Sequence, residues 1–159
     1  MIKTIIFDFS RVLLFAKDKG YKEDLNPLHK KLLSENPNYK FLDYFELNEE
    51  LLVFLEAVKN RIELYIFTSG SIQKAKEIKS RLDEVFNGTF SAEELSLSKK
   101  DPQAYIILTK KLGKSPKEVI FIDDSQTNIQ AASQAGLNVF QYLDNEGLIK
   151  KINQLLSNN

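Results

Sequence analysis

Residues 3–12 read Lys-Thr-Ile-Ile-Phe-Asp-Phe-Ser-Arg-Val, and the first half of this stretch decides the fold. Residues 3–7 (KTIIF) form a short, apolar, partly β-branched run that stops at Asp8. An unbroken run of this kind suits a strand buried on both faces of a parallel sheet better than an alternating edge strand. Working outward, 62–67 (IELYIF) is a second such run and ends at Thr68, Ser69 and Gly70. A third, 119–122 (VIFI), ends at Asp123 and Asp124, and a fourth, 138–142 (NVFQY), follows Gly136. A weaker strand is expected at 88–91 (GTFS).

Helical patterns separate these runs. Asn48 is placed to cap a helix from Glu49 to about Lys59, with Leu51, Leu52, Leu55 and Val58 on one face. Ser71 is expected to cap a helix over 72–84. Residues 102–112 carry Tyr105, Ile106, Leu108 and Leu112 at helical spacing, with Gly113 as a stop. Further helices are expected from Asn128 to Gln134, stopped by Gly136, and over 146–156. The alternation implies an α/β fold: a doubly wound, three-layer, Rossmann-like parallel sheet. Such sheets bind ligands beyond the carboxyl ends of their strands. Asp8, Thr68 and the Asp123–Asp124 pair all fall at those ends and are expected to converge.

The segment 16–47 breaks the alternation. It holds Pro27, Pro37 and one helix-like piece around Leu28–Leu33, and reads as a small helical insertion after the first strand. His29 is expected at its surface, and Phe41, Tyr44 and Phe45 between insertion and core. The 159 residues fit one domain, 1–159, with this insertion as a rudimentary cap. Lysine plus arginine equals aspartate plus glutamate at 22 each, so no basic excess points to nucleic acid. The absence of cysteine excludes disulfides and thiolate chemistry. Neither a signal peptide nor a transmembrane run is visible, and a cytoplasmic protein without membrane contact is expected.

Four motifs in chain order resemble those of the haloacid dehalogenase superfamily. They are Ile-Ile-Phe-Asp8-Phe9-Ser10-Arg11, Tyr-Ile-Phe-Thr68-Ser69-Gly70, Lys99-Lys100-Asp101-Pro102, and Phe-Ile-Asp123-Asp124-Ser125 with Asn128, Ala131, Ala132 and Gly136 following. The resemblance covers nearly the whole chain and implies a phosphatase-type hydrolase with a reduced cap. It implies that Asp8 attacks phosphorus to form an aspartyl-phosphate, that Thr68 and Ser69 bind phosphate oxygens, and that Lys99, favoured over Lys100 by alignment on Asp101-Pro102, offsets phosphate charge. Mg2+ is the implied cofactor, held by Asp8, the Ser10 backbone carbonyl, Asp124 and Asp123, the last directly or through water.

The sequence departs from the family pattern at Ser10, where most phosphatase members carry a second Asp as general acid and base. General acid–base catalysis contributes about 10²- to 10⁴-fold, so substrates with good leaving groups, such as acyl or anomeric sugar phosphates, are favoured. A small phosphorylated substrate is expected. The small cap also leaves room for a macromolecular substrate, or for closure by a partner chain. Two other readings compete. One is a catalytically weak or inactive member that binds a phosphorylated ligand or a protein partner. The other is a receiver-type signalling domain, which the chain order opposes: receivers place the acidic pair after the first strand.

Overall fold

The computed structural model describes residues 1–157. Five parallel strands form the central sheet: β1 (Thr4–Phe7), β4 (Glu63–Thr68), β5 (Gly88–Ser91), β6 (Val119–Asp123) and β7 (Asn138–Gln141), in the order β5-β4-β1-β6-β7. Phe7 pairs with Ile66 on one side and Ile122 on the other, and this register brings the strand ends level. Successive side chains leave opposite faces of a strand. Ile5 and Phe7 accordingly join one core, with Leu64, Ile66, Ile120 and Ile122, while Ile6 joins a second, with Phe67, Val119 and Phe121. Both faces of β1 are fully buried, which explains its unbroken apolar reading.

Helices α3 (Glu49–Val58), α4 (Lys76–Val85) and α7 (Asn145–Ser157) cover the first face, and α5 (Pro102–Lys111) and α6 (Gln126–Gln134) the second. The chain leaves β1 toward β4 and later returns to β6 on the opposite side of β1. The crevice between β1 and β6 is therefore the topological switch point, where ligands bind in such sheets. Asn48 caps α3 by accepting from the Leu51 amide, and Gly113 and Gly136 take the positive φ angles that end α5 and α6. No helix among the described residues is long and apolar enough to cross a membrane.

The segment after β1 is more ordered than its sequence suggests. Its root is an antiparallel ribbon of β2 (Leu14–Ala16) and β3 (Phe45–Leu47), which begins two residues before the expected insertion boundary. Three-residue strands leave no legible periodicity. Between them lie α1 (Leu25–Glu35) and the single turn α2 (Phe41–Tyr44). His29 is a correction to the sequence reading: it is 8% exposed, hydrogen-bonded to the Tyr39 hydroxyl and edge-on to Phe41 and Phe45. Burial lowers its pKa and raises that of Tyr39 to about 12. Phe41 and Phe45 are buried as expected, whereas Tyr44 is largely exposed.

Ser71 is a second correction. Its side chain makes no cap hydrogen bond, and the segment after it is a 3-10 turn, Ile72–Lys74, rather than the start of α4. Its role passes to Asn26 of α1, whose Oδ1 accepts from the Ser71 and Ile72 amides, both at 3.0 Å. The approach is so close that a Cβ on Gly70 would lie 2.5 Å from Asn26 Oδ1. Gly70 is thus what lets the insertion dock directly on the loop after β4.

Candidate active site

Asp8 lies one residue beyond β1, and its amide donates to the Ile122 carbonyl at 2.7 Å, which fixes it beside β6. Lys99 arrives from the loop before α5, its carbonyl accepting from the buried Tyr105 hydroxyl at 2.8 Å. Its ammonium sits 2.5 Å from Asp8 Oδ1 and 2.9 Å from Asp123 Oδ2. It also lies 5.7 and 5.4 Å from the ring centroids of Phe67 and Phe121, where an aromatic face favours a cation. Lys99 is 5% exposed, while Lys100 is exposed at the rim.

Asp123 is fully buried and its oxygens are occupied. Oδ1 accepts from the Ser125 amide at 2.8 Å, and Oδ2 accepts from Asn128 Nδ2 at 3.0 Å as well as from Lys99. Ser125 caps α6. Asp124 is only half-buried and faces the same cavity. Carboxylate oxygens of Asp8, Asp123 and Asp124 lie within 4.8 Å of one another. One ammonium among three carboxylates leaves a surplus of negative charge. Burial, with the Asp123 charge adding to it, pushes the Asp8 carboxyl up to about 7 against the pull of Lys99. Burial and then Asp123 raise Asp124 as well. A cluster of hard oxygen donors short of positive charge suits a small divalent cation.

An open cavity of about 820 Å³ lies over these groups. Asp8, Ser10, Ser69, Lys99, Asp123 and Asp124 all line it. Thr68 is not part of its wall: at the end of β4 it is 1% exposed, and its hydroxyl has no hydrogen-bond partner. Leaving a buried hydroxyl unpaired costs about 1–3 kcal/mol. Thr68→Val should therefore leave the free protein at least as stable, raising its melting temperature slightly. If the hydroxyl serves a phosphate oxygen, the same change should weaken inorganic phosphate binding by about 10- to 100-fold in calorimetry. Unchanged affinity would remove Thr68 from the site.

Arg11, Asp24 and Asn26 also reach the cavity. Arg11 holds a left-handed backbone (φ 63°) in the tight loop after Asp8, and its Nη2 donates to the Glu23 carbonyl at 2.6 Å. Reading the sequence gives Asp24 and Asn26 no role, because the groups they face lie on segments distant in the chain. Asn128 stands in the fourth motif, but only the structure shows its bond to Asp123.

A sequence model of haloacid dehalogenase-like hydrolases matches residues 11–136. The chain belongs to this family. The matched segment begins three residues after Asp8. Among curated proteins the chain is similar to enolase-phosphatase E1 of Sulfurihydrogenibium sp., at 35% identity over 85 residues, covering 50% of this chain and 36% of that protein. It is similar to enolase-phosphatase E1 of Shewanella halifaxensis at 34% identity, covering 55% and 42%. The chain thus spans well under half the length of these relatives. Among solved structures, a haloacid dehalogenase family enzyme of Bacteroides thetaiotaomicron, complexed with magnesium and inorganic phosphate, aligns with TM-score 0.68 at 15% identity, covering 90% of this chain and 95% of that one. A HAD-like family hydrolase of Porphyromonas gingivalis aligns with TM-score 0.69 at 16% identity, covering 98% of both chains. These likenesses show the shared fold.

Proposed function

We propose that this chain is a magnesium-dependent hydrolase of small phosphate monoesters, acyl phosphates or sugar phosphates, working through an aspartyl-phosphate on Asp8. The observation that carries the reading is the buried Asp8 carboxylate, held by Lys99 beside the Asp123–Asp124 pair. Asp8 and Asp124 would hold the ion with the Ser10 carbonyl. Asp123 accepts from Lys99, Ser125 and Asn128, orients Lys99, and would serve the ion directly or through water. Magnesium there would offset the charge of the phosphoryl group.

The chain's own groups then divide the work. Lys99 keeps the Asp8 oxygen fixed and balances charge on the transferring group, and Thr68 and Ser69 are the hydroxyls nearest the end of β4 for phosphate oxygens. Asp8 attacks phosphorus, the bond to the leaving oxygen breaks, and water later cleaves the acyl phosphate. Ser10 neither gives nor takes a proton near neutral pH, so esters of poorly acidic alcohols should turn over slowly. The ribbon and α1 act as a reduced cap on a single domain, and the cavity that α1 helps to wall has the size of a small-molecule site. Phosphate release from a panel of phosphoesters and acyl phosphates, with magnesium and with a chelator, tests the reading. Release that survives chelation overturns the metal assignment. Magnesium binding with no release from any substrate supports the alternative that Ser10 motivates, a binding protein without turnover.

Metal binding should be linked to protons. Because Asp8 is raised in the folded state, folding takes up a proton between the ordinary carboxylate range and about 7, and metal-free stability falls as pH rises through that window. A cation reverses this by favouring the ionised carboxylates. Thermal unfolding should therefore show a gain of about 5–10 °C at a hundredfold excess of magnesium over its Kd near about pH 8, and a much smaller gain near about pH 5. Equal gains at both would contradict a site built on Asp8.

A further inference from the structure

Cleavage of an aspartyl-phosphate on Asp8 needs a base for the attacking water, and Ser10 occupies the place where an acid is expected. Two further carboxylates line the cavity besides the central three, Asp24 and Glu93. Glu93 is engaged by Lys30 at 3.1 Å. Asp24 is exposed to the cavity, and among the described residues its carboxylate takes part in no hydrogen bond or ion pair. It occupies the N-cap position of α1, where an Asp oxygen normally accepts from the first-turn amides, yet it makes no such bond.

The backbone beneath it is nonetheless held on several sides. Arg11, from the loop that follows Asp8, donates to the Glu23 carbonyl at 2.6 Å, and Tyr21 Oη donates to the Asp24 carbonyl at 3.1 Å. Leu25 is 1% exposed, and Asn26 is bonded to the loop after β4. A free carboxylate on a fixed backbone is thus presented to the cavity that Asp8 and Ser10 line.

We propose that Asp24, supplied by the insertion, is the general base for hydrolysis of the aspartyl-phosphate. The proposal rests on Asp8 being the nucleophile. In the step, a water oxygen bonds to phosphorus as the bond from phosphorus to the Asp8 oxygen breaks. Asp24 takes the proton of the water, Asp8 leaves as a carboxylate, hydrogen phosphate is released, and the proton passes from Asp24 to solvent. Formation of the phosphoenzyme from an acyl phosphate needs no help from Asp24, because a carboxylate leaves without protonation.

The two half-reactions separate the roles. The full chain with magnesium is mixed with acetyl phosphate, the donor is removed, and intact-protein mass follows formation and decay of the phosphorylated species. Asp24→Asn is expected to form it at the wild-type rate and lose it about 10²- to 10⁴-fold more slowly, and Asp24→Glu to recover part of that loss. A merely structural role would not split the two rates or be rescued by Glu, and unchanged melting temperatures exclude unfolding. A phosphoenzyme that decays equally fast in wild type and Asp24→Asn overturns the proposal and leaves Asp8 in place. No phosphoenzyme in either protein overturns the reading of Asp8, and this proposal with it.

Discussion

Asp8→Asn should abolish phosphate release while leaving the fold as stable as before, or more so. Removing a nucleophile costs on the order of 10⁴- to 10⁶-fold in turnover, because the positioning groups that remain have nothing to deliver. The stability side follows from the environment of this carboxyl. Burial already disfavours its ionised form and raises it to about 7, so a neutral amide of the same shape removes repulsion with Asp123. Lys99 keeps Asp123 as its partner at 2.9 Å. Equilibrium unfolding above about pH 7 should show no loss in the variant. An inactive variant that is also grossly destabilised would mean that Asp8 is a structural residue.

Lys99→Met should damage both activity and stability, and the two losses have different causes. Deleting one partner of a buried ion pair costs about 3–5 kcal/mol because the other partner stays behind uncompensated. Here two acids remain, Asp8 and Asp123, at 7% and 0% exposure. Asp123 keeps its bonds from Ser125 and Asn128, and Asp8, already raised by burial, takes up a proton. Its pKa then rises further above about 7, so the stability deficit grows as pH rises from about 7 toward the raised value and levels off beyond it. Denaturant unfolding of wild type and variant at a series of pH values measures this. Asp8→Asn added to Lys99→Met should recover most of the lost stability without restoring turnover. A deficit that does not depend on pH would contradict the charge argument and leave only lost packing against Phe67 and Phe121.

The parallel sheet was legible because its central strands β1 and β6 are buried on both faces, so residues such as Ile5, Ile6 and Phe7 could only form an apolar run. Caps and stops that act within a few residues were equally plain: Asn48 bonds Leu51, and Gly113 and Gly136 take positive φ. Whatever depended on contacts across the chain was not. Ser71 looked like a cap because its competitor, Asn26, lies 45 residues away. His29 looked like a surface residue because the Tyr39, Phe41 and Phe45 that enclose it come from a loop, a single helical turn and the start of β3. The site itself split along the same line. Asp8, Lys99, Asp123 and Asp124 follow strands or precede a helix in recognisable order. Asp24 sits in an insertion whose path across the cavity no local pattern encodes.

The central claim is that Asp8 carries the phosphoryl group, and the bond itself can be read. Borohydride reduces an acyl phosphate to an alcohol and leaves free carboxylates untouched. The protein is therefore incubated with magnesium and acetyl phosphate, quenched into borohydride, digested and sequenced by mass spectrometry. The account expects conversion of Asp8 to homoserine, dependent on donor and metal, with Asp24, Asp123 and Asp124 unmodified. Conversion at another acid, or phosphate release with no conversion at Asp8, would contradict it.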